Sequence, residues 1–200
     1  EAQKLGADAL LLVSPYYNKT SQRGLIAHYT AIADAVELPI ILYNVPSRTG
    51  VDIKPETIAK LAEHPRIVAV KEANGNISAA AQVAALCDID IYSGNDDQIV
   101  PLLSLGSKGV ISVLSNILPQ QTHDICAKWF AGDAAGSRAL QLEYLELANA
   151  LFSDVNPIPV KEAMNLMGMD VGACRLPLLD MDEAGRSKLA AVLKKYGLMK

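Results

Sequence analysis

Short apolar runs alternate with stretches of helical periodicity through the first 115 residues. Residues 9–13 form an apolar run stopped by Ser14-Pro15, and Pro39 introduces a second, residues 40–45, broken by Pro46. A third run covers residues 67–73, a fourth residues 89–93 ahead of Gly94, and a fifth residues 109–115. Their length and their β-branched content predict strands. Between the first two, Leu25, Tyr29, Ile32, Ala33 and Val36 recur at the spacing of an amphipathic helix over residues 23–36. Pro55 suits the first turn of another helix, with Ile58, Leu61 and Ala62 on its inner side. Asn74-Gly75-Asn76 opens an Ala-rich helix that reaches Cys87, and residues 97–105 read as a short helix.

Strand and helix alternating in this way predict right-handed βαβ units and a parallel sheet. Beyond Ser115 the rhythm stops. One helix, residues 119–131, completes the last unit, and three more helices follow with no strand. Leu140, Tyr144, Leu147, Ala148 and Leu151 mark one of these, Pro157 and Pro159 open a shorter one, and Leu189, Val192, Leu193 and Tyr196 mark the last. Residues 1–131 are therefore expected to be the C-terminal portion of a (β/α)8 barrel, and residues 132–200 a small C-terminal α-helical domain. An open doubly wound sheet is the rival, but no Gly-x-Gly-x-x-Gly turn occurs. Tyr16-Tyr17, Tyr43, Lys71, Gly94 and Ser112 lie at the ends of successive strands, which is where barrel enzymes place their chemistry. Five strands cannot close a barrel. The chain also opens without Met, as the tail of a helix already under way, and both features point to a fragment.

Composition adds exclusions. Net charge is −4 with acids and bases interspersed, so no basic patch advertises nucleic acid or an anionic membrane. No apolar run reaches the ~18–20 residues of a membrane span, and no signal peptide precedes the first strand. Cys87, Cys126 and Cys174 are scattered and odd in number, as expected of reduced thiols in a cytoplasmic protein. His28, His64 and His123 each stand alone and are read as surface residues.

Lys71 is the residue that demands chemistry. It closes the run Ile67-Val-Ala-Val-Lys71-Glu-Ala73, read as a strand buried on both faces. Lowering a lysine pKa from ~10.4 to ~7 corresponds to about 4–5 kcal/mol of lost preference for the charged state. Such a lysine either snorkels to water or serves as a free-amine nucleophile. Alternation puts Ile41 and Tyr43 on one side of their strand and Ala69 and Lys71 on the same side of the next. The Tyr43 phenol can then reach the Lys71 amine, unless it is simply a packed core tyrosine. Arg48 projects from a tight turn between Pro46 and Gly50, offering a planar fork to a carboxylate. Asp96 and Asp97 argue against a phosphorylated substrate. They lack a third ligand for a metal, so capping of the next helix is their expected role.

Ser14-Pro-Tyr-Tyr-Asn, Tyr43-Asn-Val-Pro-Ser-Arg-Thr-Gly50, Val70-Lys-Glu-Ala, Gly109-Val-Ile-Ser-Val and Asn156-Pro-Ile-Pro-Val-Lys161 resemble the dihydrodipicolinate synthases, also called 4-hydroxy-tetrahydrodipicolinate synthases. The resemblance runs over essentially the whole chain. It implies a lyase of the class I aldolase type that needs no cofactor or metal, because Lys71 itself forms a covalent imine with pyruvate. The derived enamine would add to aspartate semialdehyde, in the route to diaminopimelate and lysine. Tyr43 would shuttle protons, and Tyr17 would reach across a dimer interface into a neighbouring site. Arg48 would hold the second substrate's carboxylate, while Gly94 and Ile111 would shape the pocket through backbone groups. Tyr16 resembles one contributor to a lysine feedback site. A homotetramer, a dimer of dimers, is implied as well. The family's upstream Gly-Thr-Thr-Gly-Glu segment does not occur in these 200 residues. The chain alone is therefore expected to be inactive and prone to aggregate through the strand at residues 9–13. Other pyruvate aldolases, such as N-acetylneuraminate lyase, share Tyr43 and Lys71 but lack the Ser-Arg-Thr sequence. A catalytically silent homologue is the remaining alternative.

Overall fold

The computed structural model describes residues 1–199. The chain forms two compact units, one of residues 1–111 and one from Ser112 onward. In the first, five parallel strands lie in the order β1-β2-β3-β4-β5. They are β1 (Leu10–Val13), β2 (Ile40–Asn44), β3 (Ile67–Glu72), β4 (Asp90–Ser93) and β5 (Gly109–Val110). Each neighbouring pair is joined by a helical crossover: α1 (Gln22–Ala35), α2 and α3 (Pro46–Thr49 and Pro55–Ala62), α4 (Ile77–Leu86) and α5 (Ile99–Leu103). This is the predicted βα alternation, a run of consecutive units from a (β/α) barrel.

Local chemistry sets the helix starts. Ser21 caps α1 by accepting from Gly24 N at 3.2 Å, and Asn76 caps α4 by accepting from Ala79 N at 3.2 Å. Pro55 occupies the first turn of α3, where its missing N–H costs nothing. Leu25, Tyr29 and Ala33 of α1, Ile58 and Leu61 of α3 and Ala80 and Val83 of α4 are buried against Ile40, Leu42, Val70 and Ile91 of the sheet.

Three expectations need correction. The third strand is not buried along its whole length: Val68 is 42% exposed. The register explains this, because Ile40 pairs with Ile67 but Ile41 pairs with Ala69, so Val68 is skipped. The fifth strand ends at Val110, five residues early. Ile111 N still donates to Ser93 O at 2.9 Å. Ser112 Oγ then accepts from Ser115 N at 2.9 Å, drawing the chain into a 3-10 turn over Leu114–Asn116. Finally, the 3-10 turn at Asp96–Gln98 has Asn95 at its N-cap position and no side-chain cap, so the acids are not capping groups.

The second unit is helical: α6 (Pro119–Phe130), α7 (Ala134–Glu143), α8 (Leu145–Ala150), α9 (Ile158–Leu166) and α10 (Glu183–Lys195). Leu114, Leu118, Leu147, Leu151, Val160, Ala163, Leu189 and Leu193 form its core. The stripe from Leu140 to Leu151 serves two helices that break at Tyr144.

Candidate active site

Skipping Val68 has a direct consequence for the site. It re-phases β3 so that Tyr43 pairs with Lys71 and Asn44 with Glu72. Tyr43 and Lys71 then point to one face of the sheet and their successors to the other. The Lys71 Nζ lies over the Tyr43 ring, 4.3 Å from its centroid. That contact attracts the ammonium form, whereas burial disfavours it. Burial prevails and lowers the Lys71 pKa; Asp96 opposes the shift and the Arg48 guanidinium assists it. Burial raises the Tyr43 phenol, with Arg48 pulling it back. The result is an amine biased toward its nucleophilic form under a phenol that keeps its proton.

Arg48 lies in the last turn of α2, exposed, and its charge is felt by both members of the pair. Gly94 follows β4 and donates N–H to Glu72 O at 2.8 Å. A Cβ there would come within 2.6 Å of Ala73 Cβ, so glycine is required by close approach of the two strand ends. Ile111 continues the ladder one residue past β5. Tyr16 and Tyr17 stand apart from this group, 68% and 91% exposed on the segment after β1. Tyr17 has φ 63°, a left-handed conformation that a bulky non-glycine residue rarely adopts. Their segment is tied to the Arg48 turn through two buried hydroxyls, since Ser14 Oγ lies 3.3 Å from Thr49 Oγ1.

Sequence reasoning missed the acids around the lysine. Asp96 is 2% exposed and is the group that favours the Lys71 ammonium. Glu72, immediately after the lysine, is buried, and desolvation pushes its pKa to about 7 against hydrogen bonds from Asn44 and the Asn74 and Ala73 backbone. Alternation alone would have put Asn44 and Glu72 together, opposite Tyr43 and Lys71. Of the histidines, His64 is only 16% exposed at its side chain, where it meets Asp34 at 3.2 Å. Among the described residues no group of three or more His, Cys, Asp or Glu is placed to hold a metal ion.

A desolvated strand-end lysine stacked on a tyrosine, on a parallel βα scaffold, defines a lyase of the Schiff-base-forming aldolase class. The comparisons narrow the class. The chain belongs to the dihydrodipicolinate synthetase family, whose model matches residues 1–196. It is 57% identical to a 4-hydroxy-tetrahydrodipicolinate synthase of Clostridium perfringens over 201 residues, spanning 100% of this chain and 69% of that protein. Among solved structures, dihydrodipicolinate synthase from Thermotoga maritima superposes with a TM-score of 0.96 at 44% identity, covering 99% of this chain and 69% of that one. A chloride-inhibited dihydrodipicolinate synthase from Acinetobacter baumannii, complexed with pyruvate, gives 0.95 at 46% identity, with 99% and 69% covered.

Proposed function

We propose that this chain supplies the Schiff-base lysine and its partners to the family's reaction, condensing pyruvate with L-aspartate 4-semialdehyde to 4-hydroxy-tetrahydrodipicolinate in diaminopimelate and lysine biosynthesis. The observation that carries it is the Lys71 amine at 4.3 Å from the Tyr43 ring in matched register. Neutral Lys71 adds through Nζ to the keto carbon of pyruvate, and the carbinolamine loses water to give an imine. Loss of a methyl proton leaves an enamine, whose terminal carbon attacks the aldehyde carbon of the second substrate. That substrate's amine then displaces Lys71 from the imine carbon, closing the ring and freeing the enzyme. No separate cofactor is needed, because the imine itself is the electron sink.

Tyr43 relays protons to and from the adduct, a role that its packing against the Lys71 amine supports. Arg48 takes the carboxylate of aspartate semialdehyde in a bidentate pair, a role its exposed, turn-borne guanidinium suits. Gly94 and Ile111 line the pocket through backbone groups on the neighbouring strand ends. Exposed Tyr17 is assigned to the site of a neighbouring subunit in a homotetramer, and Tyr16 to a lysine-responsive surface. The barrel portion runs to residue 131, with the helical domain from 132, in a cytoplasmic enzyme. Among the described residues no helix is long and apolar enough to cross a membrane.

Borohydride reduction in the presence of pyruvate tests the proposal. The expected product is one pyruvate-derived mass increment on the peptide containing Lys71, absent in Lys71→Met. Failure of the parent chain to gain that mass overturns it. Arg48→Ala separates this substrate from those of other pyruvate aldolases: pyruvate should still be trapped while use of aspartate semialdehyde is lost.

A further inference from the structure

On the face of the sheet opposite Lys71, Asn44, Asp52, Glu72 and Asn74 converge. Asn44 is fully buried and Glu72 is 5% exposed, so neither is a solvated surface group. Asn44 Oδ1 accepts from Ile53 N at 3.0 Å, and its Nδ2 donates toward Asp52 Oδ1 at 3.0 Å. This carboxamide thereby ties together the two ends of the segment that bears Arg48. The same Nδ2 reaches Glu72 Oε1 and Oε2 at 3.2 and 3.1 Å. Glu72 Oε1 also accepts from Asn74 N at 2.8 Å, which fixes the carboxylate to its own strand end.

Tyr43 and Lys71 are each followed directly by a member of this clamp. We propose that Glu72 is a positioning residue for the second substrate, acting through Asn44 to hold the Arg48 turn in a fixed place relative to Lys71. The inference rests on Arg48 receiving that substrate's carboxylate, as proposed above. Chemistry favours positioning over packing, because an apolar pair would fill the same space without desolvating a carboxylate beside Asp52. A carboxylate offers what an apolar group cannot, namely two acceptors at fixed geometry for one carboxamide and one backbone N–H.

Glu72→Gln and Asn44→Ala test this. The first keeps the side chain's shape but turns one oxygen into an NH2 facing the Asn44 NH2, while sparing the fold an ionised buried acid. Above pH 7, where Glu72 is ionised, loss of a charged hydrogen bond of this kind should speed amide hydrogen exchange over residues 46–53 by about tenfold in either variant. Steady-state kinetics on a full-length enzyme carrying this sequence should show the KM for aspartate semialdehyde rising about tenfold while that for pyruvate changes by less than about threefold. Pyruvate should still be trapped on Lys71. Unchanged exchange over residues 46–53 in Glu72→Gln, or an equal rise in both KM values, overturns the proposal. If the parent chain traps no pyruvate, the proposed function fails, and the exchange comparison still decides whether the clamp exists.

Discussion

The Lys71 amine packs against the face of the Tyr43 ring, 4.3 Å from its centroid, and the phenol is the only part of that ring able to move a proton. Tyr43→Phe separates the two contributions, since phenylalanine keeps the cation–π surface and discards the hydroxyl. Pyruvate trapping at Lys71 should persist in this variant. In a full-length enzyme carrying this sequence, turnover should fall roughly 10²–10⁴-fold, the usual worth of a positioned acid–base group. Rapid-quench trapping and steady-state rates compared on the same preparation check this.

Lys71 should react over an alkaline limb that levels off below the 10.5 of an ordinary lysine, because burial lowers its pKa. Asp96 acts in the opposite direction and Arg48 in the same one. Asp96→Asn should therefore move the inflection of the imine-formation rate to lower pH, and Arg48→Gln to higher pH. A profile that ignores both substitutions would mean that neither charge reaches the amine.

Glu72 gives a pH dependence to the fold itself. Its folded pKa of about 7 exceeds the ordinary 4.5, so the native state binds a proton more tightly than the unfolded chain does. Its favourable contribution is complete below pH 4.5 and is lost as pH rises to about 7. The size of that loss is about 3 kcal/mol, from 1.36 kcal/mol per pKa unit. Urea unfolding from pH 4.5 to 8 should show it in the parent chain and a flatter profile in Glu72→Gln.

The repeating βα scaffold was legible because each strand is a short β-branched run fenced by Pro or Gly, and Leu25, Tyr29 and Ala33 repeat at helical spacing. That Tyr43 and Lys71 share a face with Ile41 and Ala69 followed from period-two alternation, but their direct pairing did not. The skipped Val68 left no trace in the sequence, since a bulge is a property of two strands together. The clamp was hidden in part: alternation would have put Asn44 and Glu72 on one face, but Asp52 comes from the separate segment after Arg48. The fifth strand was overestimated because Ile111 and Val113 prolong its apolar run, whereas Ser112 captures a local backbone donor that composition does not reveal. Tyr17 stood out in the sequence only as a strand-end residue, and its reach into a neighbouring site is implied by family resemblance alone. Nothing in its exposure or its φ of 63° marks it as catalytic.

Gly94→Ala should be costly although alanine adds one methyl group. That methyl would lie 2.6 Å from Ala73 Cβ and 3.1 Å from Glu72 O, with Ala73 only two residues beyond the lysine. Relief requires the ends of β3 and β4 to separate, at about 1–3 kcal/mol as for other overpacked sites. Thermal unfolding should report the loss. Pyruvate trapping should slow as well, because the strand end that aims Lys71 is what must move.

Deleting Val68 tests how the reactive pair is phased. Ile40 opposite Ile67 and Tyr43 opposite Lys71 span three and four residue steps respectively, and Val68 supplies the extra one. Without it, Ile67, Ala69, Val70 and Lys71 fall opposite Ile40, Ile41, Leu42 and Tyr43 with no residue skipped, so the reactive pair keeps its register. A ladder that paired Val68 instead of skipping it would set Val70 opposite Tyr43 and turn Lys71 to the other face. Val68 is already 42% exposed, so its removal takes little apolar burial from the core. The deletion variant should retain both its helical circular dichroism and its pyruvate trapping, as should Val68→Ala, which keeps the count. Loss of trapping by a folded deletion variant would show that the bulge itself, and not only the register beyond it, aims Lys71.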